Sequence, residues 1–271
     1  MLREGSGEPL VLLHGILNSE RAWRRVIPHL SPEHDVVALT ALGHNGGPRP
    51  TSRPVVLEDL VDATERQLDE LGFEQVHLAG NSLGGWMALE LARRGRAKSV
   101  CALSPAGFWD DSLEAERERV FKVLLRARKE TPRARRIMPL LARSARFRRW
   151  ALRDVAVHGD RVSQEEFLEM ADDTIGCYIA EELIAPGHRL APVEVSCPVT
   201  IAWSTEDRFF PSAVYRGPGE SFVPSARVIV LEDTGHVPMM DDPKLVAETI
   251  RETVSRSSAG DPSASLSSPG S

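Results

Sequence analysis

Residues 76–95 read Val-His-Leu-Ala-Gly-Asn-Ser-Leu-Gly-Gly-Trp-Met-Ala-Leu-Glu-Leu-Ala-Arg-Arg-Gly, and this stretch decides the fold. Val76–Ala79 is a short apolar run of the kind that forms a buried strand. Leu83–Arg94 has the length and composition of a helix, and Gly95 is placed to stop it. Gly80-Asn81-Ser82-Leu83-Gly84 joins the two. A serine between glycines at a strand-to-helix turn is the setting of a nucleophile elbow. The strained turn exposes the hydroxyl, and residues without Cβ let neighbouring backbone pass.

Working outward, Pro9-Leu10-Val11-Leu12-Leu13-His14-Gly15 is an apolar run ending in glycine, and Val36–Leu39 is a second. Both read as fully buried strands of a parallel sheet. Between Val55 and Gly72, Val56, Leu60, Ala63, Gln67 and Leu71 recur at helical intervals, with Gly72 as the stop. Val100–Leu103 is the next strand, ahead of Ser104-Pro105. Alternation of this kind implies a parallel sheet with right-handed crossovers. Asp110–Gly187 breaks the rhythm with charged helical patterns and no short apolar strand. Alternation returns with Cys197–Trp203, Arg227–Leu231 and a helix near Pro243–Val254. The expected class is α/β, a mostly parallel doubly wound sheet with an inserted helical cap. Its parts are core at 1–106, cap at 107–190, core again at 191–255, and a Ser/Pro/Gly-rich disordered tail at 256–271.

A chain of 271 residues is long enough for one main domain with an insertion. With 42% hydrophobic and 27% charged residues it reads as a soluble globular protein. No run approaches the roughly 18 apolar residues of a membrane span, so no membrane association is expected. The amino terminus lacks the roughly 7–15-residue apolar region of a secretory signal, so the expected location is cytoplasmic. Cys101, Cys177 and Cys197 show no CxxC spacing, which argues against a disulfide framework or a zinc site. Gly5-Ser6-Gly7 precedes a strand instead of following one, and no HExxH spacing occurs, so neither a nucleotide, a metal nor another cofactor is expected. A net charge of −6 argues against a nucleic-acid partner, yet it conceals an arginine-dense stretch from Arg117 to Arg153. The field of Arg126, Arg128, Arg133, Arg135, Arg136, Arg143, Arg146, Arg148 and Arg149 can attract an anionic substrate or partner, although such residues are ordinarily solvated helix faces.

The chemistry needs partners for Ser82. The Leu83 amide, at the start of a helix, is a free donor aimed where an oxyanion develops. His14-Gly15-Ile16 ends at the same carboxyl edge of the sheet, and the Ile16 amide is the second donor. The base is a histidine downstream of the serine. His158 and His188 fall in the predicted cap, whereas His236, in Asp233-Thr234-Gly235-His236, follows a core strand. Asp207, just past the Val199–Trp203 strand, is the acid that orients it, with Asp110, Asp111 and Glu206 as alternatives. His14 shapes its loop by hydrogen bonding, and His44 and His77 are structural or exposed. Trp86 and Met87 after the elbow, and Phe108, Trp109, Phe147, Trp150 and Tyr178 around the cap, are candidates to line a substrate pocket.

LVLLHG (10–15), GNSLGG (80–85), WSTEDRFFP (203–211) and DTGHVPMMDDP (233–243) together resemble the α/β-hydrolase superfamily, in its order and over nearly the whole chain. The resemblance implies a cap after the sixth family strand, the triad Ser82, Asp207 and His236, and oxyanion amides at Ile16 and Leu83. The first family strands look shortened or missing before Pro9, and Ala41-Leu42-Gly43-His44 replaces a commoner proline-glycine-histidine-glycine loop. Ser82 separates the chain from branches with an aspartate nucleophile, such as haloalkane dehalogenases and epoxide hydrolases. GNSLGG and Asp207-Arg208-Phe209 look like those of carbon–carbon bond hydrolases, although His14-Gly15-Ile16-Leu17 lacks their glycine-rich oxyanion loop. The expected activity is hydrolysis of a carboxylic ester, or a related acyl bond, of a small molecule through an acyl-enzyme. A carbon–carbon or lactone hydrolase and a non-catalytic ligand-binding protein are the alternatives. The sequence leaves the oligomeric state open.

Overall fold

The computed structural model describes residues 1–109, 111–183 and 194–258. Seven strands, β1 (Leu2–Glu4), β2 (Glu8–Leu13), β3 (His34–Leu39), β4 (Val76–Asn81), β5 (Ala97–Leu103), β6 (Val199–Ser204) and β7 (Arg227–Leu231), form one sheet. Their order is β1-β3-β2-β4-β5-β6-β7. Every pair is parallel except β1 with β3. The strands from β3 to β6 are almost wholly buried because helices cover both faces, which is why they read as unbroken apolar runs. Alternate residues serve the two sides. Val11, Leu13 and Leu78 pack with α1 (Leu57–Glu70) and α2 (Leu83–Arg93), whereas Leu10 and Leu12 share a core with the last helix, Pro243–Ser258.

The amino terminus keeps one short strand, within the expectation of shortened or missing strands before Pro9. It pairs antiparallel with β3, Leu2 opposite Ala38 and Glu4 opposite Val36. Three residues, two of them charged, offer no periodicity to read. Arg3 instead anchors the strand through two hydrogen bonds to Asp35, at 2.8 and 2.6 Å.

After β5 the chain leaves the sheet for α3 (Glu114–Ala134), α4 (Met138–Leu141), α5 (Ala145–Ala151) and α6 (Gln164–Gly176) before returning at β6. Two seams fix this insertion to the core. In one, the buried carboxylate of Asp173 on α6 accepts from Ser19 Oγ (2.7 Å) and Asn45 Nδ2 (2.8 Å) and pairs with Arg21 (2.9 Å). Burial raises its pKa despite those partners. In the other, Asp241 accepts from the backbone amides of Val157 (3.2 Å), His158 (2.7 Å) and Gly235 (2.8 Å), and Val237 N–H donates to Val155 O at 2.8 Å.

The carboxyl-terminal helices are α7 (Ser212–Phe222) and α8 (Pro243–Ser258). Residues 256–258 of the expected tail continue α8, and 259–271 lie outside the described residues, as do Asp110 and His188. Cys101 and Cys177 are buried, Cys197 is half-buried, and all three are free thiols. Among the described residues no helix is long and apolar enough to cross a membrane.

The elbow glycines are demanded by packing. A Cβ at Gly80 falls far inside contact distance of the Gly84 carbonyl oxygen, and one at Gly84 collides in the same way with that of Leu13. Because the obstacle is backbone in both cases, neither can relax cheaply. Gly84→Ala is expected to destabilise the fold by about 1–3 kcal/mol. In a chain of this size each kcal/mol lowers Tm by about 2–4 °C, so an unchanged melting curve would contradict the packing argument.

Candidate active site

Five loops meet at the carboxyl edge of the sheet, because β2, β4, β5, β6 and β7 all run the same way. Ser82 follows β4 with φ 53° and ψ −116°, a region that costs an L residue on the order of 1–3 kcal/mol. Three backbone hydrogen bonds over-determine that conformation. Ser82 N–H donates to Leu103 O (3.0 Å), and Ser82 O accepts from Trp86 N–H (3.1 Å) and Ala106 N–H (3.0 Å).

His236, after β7, is 4% exposed, and its Nδ1 lies 2.9 Å from Asp207 Oδ2. The carboxylate fixes the tautomer: Nδ1 carries the proton, and Nε2 remains as the acceptor. Asp207 Oδ1 accepts the amides of Phe209 and Phe210, both at 2.8 Å. Burial opposes the charge on Asp207, but the imidazole, its hydrogen bond and the Phe210 amide outweigh it and hold the carboxyl below its ordinary pKa. The rings of Phe209 and Phe210 flank the imidazole at 4.9 and 5.0 Å between centroids. Asn81 Nδ2 donates to His236 O at 2.8 Å and to Leu103 O at 3.1 Å, tying the His236 loop to the turn that carries Ser82. Ser82 and His236 line one cavity without a direct hydrogen bond between their side chains.

The loop after β2 supplies the other wall. A Cβ at Gly15 would lie 3.2 Å from Ser82 Cβ, so this loop packs directly on the serine. Ile16 and Leu83 line the cavity, and neither backbone N–H has an acceptor among the described residues. His14 holds the loop: its Nδ1 donates to Gly15 O (2.8 Å) and its Nε2 accepts from Ala41 N–H (3.0 Å). His44 packs edge-on at 4.9 Å. Both rings are buried. Desolvation lowers the pKa of His14 to about 4 and, with the neighbouring His14, that of His44 to about 3.

The cavity encloses about 300 Å³, the volume of roughly ten water molecules. Its floor is Ser82, Leu83 and Trp86, and its roof comes from α3 and α6, with Leu124, Phe167 and Met170 facing inward. Among the described residues no lysine or arginine lines it. Of the pocket candidates, Trp86 and Trp109 are in the wall, in edge-to-face contact at 5.7 Å. The other five are corrected. Phe147 packs against Trp150 and Phe167 and is not among the lining residues. Met87 is on the core side of α2. Phe108 is fully buried among Trp203 and Phe222. Trp150 is 61% exposed, because the register of α5 turns Ala151 inward instead. Tyr178 is partly exposed under the Arg53 guanidinium. His77, weighed as structural or exposed, is buried 3.2 Å from Glu8.

Asn81, Phe209, Phe210 and Asp241 belong to the site but carried no assigned role in the sequence. A short signal existed for the phenylalanines, since an aspartate commonly accepts the amides two and three residues on. Among the described residues no group of three His, Cys, Asp or Glu could hold a metal ion.

Residues 10–249 match the family model described as alpha/beta hydrolase family, and the chain belongs to that family. It is 34% identical over 208 residues to "Epoxide hydrolase EphH" of Mycobacterium tuberculosis, covering 70% of this chain and 91% of that protein. It is 35% identical over 108 residues to "2-hydroxymuconate semialdehyde hydrolase" of a Pseudomonas species, 38% of each chain. Among solved structures, a thermophilic esterase from Thermogutta terrifontis superposes with a TM-score of 0.71 at 23% identity, over 94% of this chain and 92% of that one.

The buried histidines make stability pH-dependent. Above about pH 6.5 both are neutral whether the chain is folded or not; below it only the unfolded chain takes up protons, until the folded pKa values near 4 and 3 are reached. Unfolding free energy is therefore expected to fall as pH drops from 6.5 toward 4. The two sites together contribute up to about 2.7 kcal/mol per pH unit. Urea midpoints at pH 7 and pH 5 measure it, and His44→Asn should remove part of the slope. Equal slopes in the parent and the variant would refute the assignment to His44.

Proposed function

We propose that this chain is a serine hydrolase that cleaves a carboxylic ester, or a related acyl bond, of an apolar small molecule through an acyl-enzyme. One observation carries the reading: Ser82 on its strained turn, Ile16 and Leu83 with their free amides, and His236, held from behind by Asp207, all border a single largely apolar cavity.

In this mechanism His236 Nε2 removes the proton of Ser82 Oγ as that oxygen attacks the acyl carbon. The charge that moves to the carbonyl oxygen is met by the amides of Ile16 and Leu83. The tetrahedral species collapses, His236 returns the proton to the departing alcohol, and Ser82 is left as an ester. Water, deprotonated by His236, attacks the same carbon and releases the acid and the free serine. Asp207 stabilises the imidazolium at both stages and stays ionised, in keeping with its lowered pKa.

The relative named an epoxide hydrolase raises a second chemistry, and the nucleophile argues against it. A serine that opens an epoxide becomes an ether, which has no carbonyl for water to attack, so the enzyme would stop after one turnover. Opening the ring also needs an acid for the alkoxide, and neither tyrosine of the chain, Tyr178 nor Tyr215, lines the cavity. The relative named for a muconate semialdehyde speaks for carbon–carbon cleavage. A carboxylate-bearing substrate would meet, however, no lysine or arginine among the described residues of the cavity wall.

Two outcomes are expected. With p-nitrophenyl esters of increasing acyl length at neutral pH, the parent should turn over and Ser82→Ala should lose at least about 10⁴-fold in kcat. A fluorophosphonate should label the parent and leave Ser82→Ala unlabelled. Equal chromophore release by both proteins, or turnover of an epoxide by a chain inert to every ester, would remove the reading. Asp207→Asn should keep the fold and lose about 10³–10⁴-fold in kcat, because the imidazole no longer holds the working tautomer; a loss below tenfold would mean that another residue orients His236.

A further inference from the structure

The arginine-dense stretch of the insertion has a face that the acyl chemistry leaves unused. Between Glu130 and Asp154 there are eight arginines and no acidic residue. Since the whole chain carries −6, those residues carry +8 and the remainder −14. Arg135 pairs with Asp172, and Arg148 is spent on the carbonyls of Ala142 and Val162. Arg133, Arg136, Arg143 and Arg146 are exposed and have no carboxylate partner among the described residues.

Large apolar side chains stand among them. Leu140 is 68% exposed, Trp150 61%, Ile137 59% and Leu141 38%, four of the seven exposed large apolar residues described. All four belong to α4 and α5 or to the residue before α4. The opposite side of the same two helices faces the cavity, through Met138, Ala151 and Leu152. Leu140 is two residues beyond Met138, about 200° around a helix, so one side lines the site while the other meets solvent. The ring of Trp150 also lies under the Arg153 guanidinium, at 4.8 Å.

We infer that α4 and α5 form a docking face for an anionic lipid surface, from which an apolar substrate reaches the cavity behind them. An exposed tryptophan with leucines suits the headgroup boundary, and unpaired arginines suit its phosphates. The −14 on the rest of the molecule is repelled by the same surface, so the field itself turns this face toward it. A second copy docked symmetrically would oppose arginine to arginine. The expectation of no membrane association from the sequence concerned spans; this contact is peripheral and reversible. Delivery to the cavity rests on the acyl-hydrolase reading, whereas binding to the surface does not.

The test is co-sedimentation of the Ser82→Ala protein with vesicles of phosphatidylglycerol and phosphatidylcholine, or of phosphatidylcholine alone, in 50 mM and 300 mM NaCl. Binding is expected to the anionic vesicles only, and to weaken in the higher salt. Each arginine removed should cost about fivefold, so Arg136→Ser/Arg143→Ser/Arg146→Ser loses about 100-fold. Leu140→Ser/Trp150→Ser, which keeps every charge, should also bind more weakly. The proposal is overturned if the chain stays in solution at low salt, or if the triple-arginine variant binds as the parent does. It is equally overturned if the chain forms oligomers that the Leu140/Trp150 variant dissolves, which makes the face an interface between copies. In the active background, the triple variant should hydrolyse a soluble short-chain ester normally and a vesicle-borne long-chain ester more slowly. Inactivity toward both esters in parent and variant bears on the acyl-hydrolase reading and leaves the vesicle result standing.

Discussion

Ser82 occupies a backbone conformation that an isolated L residue avoids, and the rest of the site is arranged around keeping it there. Hydrogen bonds from Ala106 and to Leu103 bind the turn to β5, while the bare Cα atoms of Gly80 and Gly84 let the helix start close under β2. That proximity brings the Leu83 amide and the Gly15-Ile16 loop to the same spot. A wider turn would separate them. The sheet thereby supplies position at little entropic expense, since every group arrives on a short loop from a strand of the sheet.

Much of this was legible because it obeys local rules. Buried parallel strands give continuous apolar runs, so Leu10–Leu13, Val36–Leu39 and Val199–Trp203 stood out. The elbow needs small residues at fixed offsets, and Asp207 and His236 each follow such a run. What was hidden depends on contacts between distant segments. Nothing local in Asn81 says that its amide reaches His236, which is 155 residues away. Phe108 and Trp109 are neighbours of similar character, yet one is under Trp203 and the other in the cavity wall, a choice made by packing. Trp150 was misread because a tryptophan beside a site suggests a pocket, whereas its place on α5 is set by Phe147, which meets Phe167.

The electrostatics divide by depth. Asp207 keeps its charge in the interior because two amides and an imidazole surround it, and His14 is kept neutral by its burial, which leaves Nε2 to accept the Ala41 amide. Around Ser82 and His236 the wall is largely apolar, which strengthens the polar interactions there by excluding water. The arginines occupy the outside of the insertion, where their charge is hydrated and acts at longer range. Core and insertion thus perform different tasks. In the proposed hydrolysis the core would fix the reacting atoms, and the insertion would set the size and polarity of what reaches them.

Asp241 gives the insertion an asymmetry. Its buried carboxylate gathers amides from both sides of the boundary, Val157 and His158 from the insertion and Gly235 from the loop that carries His236. The Val155 carbonyl adds a further bond to Val237. A lid that lifted along this edge would break at once the three hydrogen bonds that cross it, from Val157 and His158 to Asp241 and from Val237 to Val155. The edge is therefore a fixed seam, and breathing of the insertion must pivot about it, with the widest excursion on the far side of the cavity.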